Sequence, residues 1–234
     1  AGVVIVVWYM RKKREFLRQR FFQQINRVRM ENLRSRISPH FTFNVLGREI
    51  NQFNGSEEVK HNLMELVKYL RRSLELTEKL SVSLQDELDF VRTYIELERG
   101  RVGEDFVATI TVEDGLDATR IMIPSMIVQV PVENAIKHGL AGKDGKKELM
   151  VYVSRETNGI RITVTDNGRG YLPQVVSATR GTGTGLKVLY QTIQLLNTKN
   201  KSDKIRFNIT NRSDGQTGTE VSVYIPVSYT HLRA

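Results

Sequence analysis

The chain has 234 residues, 40% hydrophobic and 26% charged, an ordinary soluble balance with enough apolar content for one sizeable core plus a smaller element. It contains no cysteine, which excludes a disulfide framework, a thiolate nucleophile and a Cys-based zinc site, and nothing argues for an oxidising compartment. The net charge of +9 is concentrated between Arg11 and Arg36, where ten Lys or Arg stand against Glu15 and Glu31, so the remainder is close to neutral and implies no direct nucleic-acid surface.

Residues 1–10 are apolar throughout, with Trp8 and Tyr9 just before the basic block, where an interfacial aromatic belt would lie. The segment reads as the end of a truncated transmembrane helix, since crossing a bilayer takes about 20 residues. On that reading the chain is a fragment whose sensor and remaining spans precede Ala1. The basic flank then puts the rest on the cytoplasmic side. The plainer alternative is an apolar N-terminus on a soluble protein.

From Phe16 to about Phe53, Ile25, Leu33, Ile37, Phe41 and Val45 recur with a spacing of four or eight and predict a long amphipathic helix, kinked or restarted at Pro39. Asn54-Gly55 breaks it. Ser56, followed by Glu57 and Glu58, predicts a new helix start, with a stripe at Leu63, Leu66, Val67, Leu70 and Leu74. Two such helices form an antiparallel hairpin with too little core to stand alone, which favours pairing with a second copy. A third helix is predicted over Ser83 to Arg101, ending near Gly100.

Runs rich in β-branched residues then predict strands over 106–112, 149–153, 160–164, 205–210 and 220–225. Helices are predicted between them over Ser125 to Gly139 and Leu186 to Asn197. The fold class that follows is α+β, with helices on one face of a sheet.

Four stretches carry candidate chemistry. Asp166-Asn-Gly168-Arg-Gly170 puts a carboxylate at a strand end beside glycines, suited to accepting a hydrogen bond from an exocyclic amine such as adenine's, although Asp-Asn-Gly is equally good turn chemistry. Gly181-Thr-Gly183-Thr-Gly185-Leu186 leads into a helix, an arrangement that presents free N–H groups to an anion, although a flexible glycine-rich loop without a ligand has the same composition. It matches neither a P-loop nor a dinucleotide fingerprint. Asn134, Lys137 and His138 fall at i, i+3 and i+4 of one predicted helix. An amide oxygen there suits Mg and the two basic groups suit phosphates, though a solvated helix end has the same composition. His40 and Asn44 are i and i+4 on the first helix, where an amide can orient an imidazole nucleophile.

In order and spacing these stretches, with Ser38-Pro-His40-Phe-Thr-Phe-Asn44 and Val132-Glu133-Asn134-Ala-Ile-Lys137-His138-Gly139, resemble the LytS/YehU-type sensor histidine kinases over about Arg27 to Val227. The resemblance implies a dimerisation and phosphoacceptor hairpin, then an ATP-binding α/β sandwich of GHKL (Bergerat) type. It implies that His40 is phosphorylated with help from Asn44, that Glu133 takes part in catalysis, and that Asn134 ligates Mg. Asp166 would bind the adenine amine, with Gly168 and Gly170 admitting the base. Gly181, Gly183 and Gly185, with Leu186, would form the lid hinge, and Lys137 and His138 would lie near the triphosphate. It also implies a homodimer and transfer to a response-regulator aspartate, often in a regulator with a LytTR domain.

The expected division is therefore 1–10 membrane segment, 11–82 juxtamembrane helix and hairpin, 83–227 ATP-binding domain, and 228–234 a non-native tail. Thr42, Gly47 and Thr184 depart from the family pattern without removing a reactive group. Two rival readings are an inactive ATP-gated interaction module and an electrostatic binder of DNA or acidic lipid working through Arg11 to Arg36.

Overall fold

The computed structural model describes residues 12–13, 50, 56–171, 184–199 and 203–226. The expected membrane segment, Pro39 kink, His40, Asn44, Gly181, Gly183 and C-terminal tail lie outside the described residues. Two compact units are present, Ala1–Arg36 and Ile37–Ala234. Of the first, only residues 12 and 13 are described, helical and exposed. No helix among the described residues is long and apolar enough to cross a membrane.

In the second unit, helix α1 (Glu57–Glu78) begins where the sequence predicts, with Ser56 Oγ accepting the Val59 N–H. Val67 of the predicted stripe is buried while Leu66 is exposed, and Tyr69 and Leu76 are buried on the opposite side of the helix. The aromatic residues of the next helix explain this second buried side: the Tyr69 ring stacks on Phe90 at 4.8 Å and on Tyr94 at 5.6 Å.

A short strand β1 (Ser81–Ser83) leads into helix α2 (Leu84–Val102), whose N-cap Ser83 accepts the Asp86 N–H and donates to its carboxylate. Gly100 is helical, and the helix stops instead at Gly103. Strand β1 pairs antiparallel with β3 (Met122–Pro124), a two-stranded piece that three-residue runs cannot announce.

The main sheet has the order β2-β4-β5-β7-β6, formed by β2 (Phe106–Val112), β4 (Lys147–Glu156), β5 (Gly159–Asp166), β6 (Arg206–Asn211) and β7 (Thr219–Pro226). β2 runs parallel to β4 and the other pairs are antiparallel. Alternation buries Leu149, Val151, Val153, Ile162, Val164, Val221 and Val223, and leaves Met150 and Tyr152 exposed on the opposite face. The helices α2, α3 (Gln129–Asn134) and α4 (Thr184–Lys199) supply the rest of this core through Leu88, Val91, Val132, Leu189 and Ile193. The molecule is thus the expected α/β sandwich.

The helix expected over Ser125 to Gly139 differs. Residues 125–128 form a turn, regular helix covers only Gln129–Asn134, and Ala135–Gly139 widens into a π turn closed by Leu140 N–H to Ala135 O at 2.8 Å. The late start has a non-local cause. The fully buried Glu87 carboxylate of α2 accepts the N–H groups of Met126, Val128 and Gln129 at 2.9, 2.6 and 3.2 Å, satisfying donors a helix start leaves free. Pro131 fits the first turn, where no donor is needed.

Candidate functional site

Asp166 ends β5 and is 4% exposed. Its Oδ1 accepts the Gly168 N–H at 2.8 Å and the Thr219 N–H at 3.3 Å. Burial pushes the carboxyl above its ordinary value, opposed by the Gly168 and Thr219 hydrogen bonds and by the charge of Arg212. The adjacent Asn167 ties the strand end down, accepting Glu148 N–H at 2.8 Å and donating to Lys146 O at 3.0 Å.

Three glycines allow close packing at this strand end, and Gly139 alone faces the carboxylate itself. A Cβ at Gly139 would stand 2.8 Å from its Cγ, one at Gly218 would stand 1.9 Å from the Asp166 carbonyl oxygen, and one at Gly168 would stand 2.1 Å from Gly139 O. Gly168 is therefore required by close packing on Gly139, whatever its part in admitting a base. Gly170, at φ +84°, lies against Asn211, whose Oδ1 accepts the Tyr171 N–H at 2.6 Å.

The second group lies along α3 and its π turn. Asn134 Nδ2 donates to Val130 O at 2.7 Å, which fixes the half-buried amide, whose oxygen is a ligand type that hard cations take. Among the described residues no cluster of three or more His, Asp or Glu is placed to hold a metal.

Widening at the π turn alters the expected face-sharing of Asn134, Lys137 and His138. Lys137 Nζ pairs with Glu133 Oε2 at 3.0 Å, and the imidazole of His138 is exposed. Partial burial, then the charges of Lys137 and Arg169, push the His138 pKa down, so its imidazole stays neutral at neutral pH. The third group begins at α4, which starts at Thr184 rather than Leu186. Among the described residues, a Cβ at the exposed Gly185 would meet Val130 Cγ1 alone, at 3.5 Å. The start of α4 is thus adjacent to the residue whose carbonyl orients Asn134.

Sequence reasoning passed over Gly218 and Thr219, which close on Asp166, and it named Gly139 without a role. The available signal was a Gly-Thr pair immediately before the last β run. It also passed over Glu87, Gln129 and Tyr69, whose parts depend on contacts distant in sequence.

A buried strand-end carboxylate over glycines, beside a helix carrying an amide and two basic groups, on an α/β sandwich, defines a nucleotide-binding domain. A family model described as "Histidine kinase-, DNA gyrase B-, and HSP90-like ATPase" matches residues 119–229, and one described as "Histidine kinase" matches residues 28–106. The chain belongs to the histidine kinase family. It is 29% identical over 210 residues to sensor histidine kinase YpdA of Escherichia coli (strain K12), covering 87% of this chain and 35% of that protein. It is 31% identical over 190 residues to sensor histidine kinase/phosphatase LytS of Staphylococcus aureus (strain MRSA252), covering 77% and 32%. The chain spans about a third of the length of these curated relatives. The histidine kinase domain of Erythrobacter litoralis EL346 blue-light activated histidine kinase superposes with a TM-score of 0.48 at 16% identity, over 89% of this chain and 95% of that one.

Proposed function

We propose that this chain is the kinase core of a bacterial sensor histidine kinase, transferring the γ-phosphoryl group of ATP to its own His40 and from there to an aspartate of a response regulator. The observation that carries this reading is the buried Asp166 carboxylate, held by Gly168 and Thr219, with Gly139 leaving it room. A carboxylate so placed accepts the exocyclic amine of adenine and turns away a purine carrying a carbonyl at that position.

Asn134 Oδ1 would hold Mg, which when bound supplies neutralisation of charge on the phosphoryl oxygens. Lys137 and His138 lie on the same segment and suit the triphosphate, and Gly181, Gly183 and Gly185, with Leu186, would form the lid hinge near the phosphates. Glu133 would accept the imidazole N–H of His40 while the opposite ring nitrogen forms the N–P bond and ADP leaves. Asn44 would orient that imidazole.

Residues 11–82 would comprise the juxtamembrane helix and the phosphoacceptor hairpin that pairs with a second copy, and 83–227 would be the ATP-binding domain. Residues 1–10 would anchor the protein in the bacterial cytoplasmic membrane, with this portion facing the cytoplasm. A response regulator with a LytTR domain is the partner class the motifs suit, and no direct nucleic-acid contact is part of the reading.

The test is incubation with γ-labelled ATP and Mg, comparing wild type with His40→Gln and Asn134→Ala. Acid-labile, alkali-stable label that vanishes in both variants is expected. ATP binding without any label would favour the ATP-gated interaction module.

A further inference from the structure

Glu133 does not stand free beside Asn134. Its Oε1 accepts Gln129 Nε2 at 3.1 Å and the Tyr69 hydroxyl at 3.4 Å, and Gln129 Nε2 also donates to the Tyr69 oxygen at 3.0 Å. Gln129 is fully buried and Tyr69 is 9% exposed, so both donors sit inside the protein. The two amide hydrogens of Gln129 and the single hydroxyl hydrogen of Tyr69 suffice to make all three bonds at once.

The two lone pairs of Oε1 are thereby occupied from the buried side, and the carboxylate is pinned by that oxygen. Among the described residues the partner of Oε2 is Lys137 Nζ, at 3.0 Å. That ion pair is part-exposed, at 46% and 29% for the two side chains, and exchanges readily with an incoming donor.

The supports of this arrangement are themselves rigid. Tyr69 is held by near-parallel stacking on Phe90, at an interplanar angle of 4°, and Gln129 has its own N–H fixed by Glu87. Burial, then the charge of Glu133, push the Tyr69 hydroxyl well above the ordinary phenol range, so it remains a donor at any working pH.

We propose that Tyr69, acting with Gln129, is a positioning residue that fixes Glu133 Oε1 and so presents Oε2 to the N–H of the phosphoacceptor imidazole. The inference rests on the kinase reading above. It makes helix α1 part of the catalytic apparatus, because a hydroxyl of α1 sets the orientation of a carboxylate on α3.

The test compares wild type, Tyr69→Phe, Glu133→Gln and the double variant, in label incorporation at saturating and limiting ATP. Phenylalanine keeps the stacked ring and removes only the hydroxyl. Tyr69→Phe is expected to lower kcat by about tenfold through lost orientation, with the KM for ATP within about twofold and thermal stability close to wild type. In the Glu133→Gln background it should have little further effect, because the two residues act through one carboxylate.

The Glu133 carboxyl carbon, followed by NMR without ATP, should shift in Tyr69→Phe, which gives a readout independent of turnover. A wild-type rate in Tyr69→Phe, a full additional loss in the double variant, or an unmoved carboxyl signal would each overturn the proposal. If wild type itself incorporates no label, the kinase reading fails. The network is then structural whatever the carboxyl signal does, and the positioning role falls with it.

Discussion

At the Asp166 end of the site an added Cβ at Gly139, Gly168 or Gly218 would lie within 2.8, 2.1 or 1.9 Å of its neighbours, whereas at the Gly185 end the nearest atom among the described residues is 3.5 Å away. Asp166 itself is buried and braced by backbone donors, while Gly185, Lys137 and His138 are exposed. The difference matches the two halves of the proposed ligand. A rigid planar base is best recognised by a preformed surface whose ordering cost is met in folding. A flexible triphosphate with its own cation needs charge and room more than fit. Specificity should therefore reside at the packed end, and tolerance to substitution at the open one.

The harshest test of the packed end is Gly218→Ala. The residue has φ +138°, and the new Cβ would collide with the Asp166 carbonyl oxygen. Strain and overpacking together should cost on the order of 3 kcal/mol, read as a lower denaturant midpoint at unchanged slope. An unshifted midpoint would mean that this end is less rigid than the comparison requires.

Next in size is Asp166→Asn, which keeps the shape and removes the charge. Loss of a charged acceptor should weaken ATP binding by about 2 to 3 kcal/mol, roughly 30- to 160-fold, without destabilising the fold, because burial disfavours the carboxylate. Since the folded pKa is raised, the native state binds more protons than the unfolded one between the ordinary value of 3.8 and the folded value. The stabilising contribution of Asp166 is thus fully present below 3.8 and is lost as pH rises through the folded pKa. ATP affinity runs the opposite way, falling on acidification at a pH above 3.8 as the acceptor is protonated. Calorimetric titrations across that range should show the limb in wild type and its absence in Asp166→Asn.

How much of this was legible in the sequence follows from how local each cause is. Ser56 and Ser83 cap helices with bonds three residues away, and the five main-sheet strands announce themselves by β-branched runs. The turn at 125–128 is not announced, because its donors are satisfied by Glu87, about forty residues upstream. The β1–β3 pairing is similarly non-local. At the site, Asp166 and Gly168 were legible from composition. What occupies the space beside Gly168 was not, since a glycine in a sequence does not reveal which backbone it must admit. Tyr69 read as a helix position, and its tie to Glu133 appears only once α1 and α3 are packed.

At the open end a smaller effect is expected from Lys137→Ala. His138 titrates below its ordinary 6.5 in part because Lys137 is charged, so its NMR titration should move upward in the variant. A depressed histidine contributes stability that is present above 6.5 and lost as pH falls through the folded pKa. The acid sensitivity assignable to His138 should therefore shrink in Lys137→Ala. ATP should raise the His138 pKa in both forms, as a nearby anion favours the imidazolium. If ATP leaves the titration untouched, His138 lies away from the triphosphate, and the open end is smaller than the comparison assumes.

The smallest effect is expected from Gly185→Ala, which separates two accounts of the glycine-rich stretch. If Gly185 serves only to start α4 beside Val130, a Cβ at ordinary contact distance is harmless. Alanine's better helix propensity should leave stability within about 1 kcal/mol of wild type or slightly above it. ATP affinity should then stay within about threefold, the range expected of a substitution away from packed features. If the phosphates instead approach the backbone closely at this position, the same methyl group would exclude them and affinity would fall by orders of magnitude, with the fold intact. That result would mean the phosphate end acquires, on binding, a fit as close as the one already built around Asp166. Rigidity would then distinguish the two ends only before the nucleotide arrives.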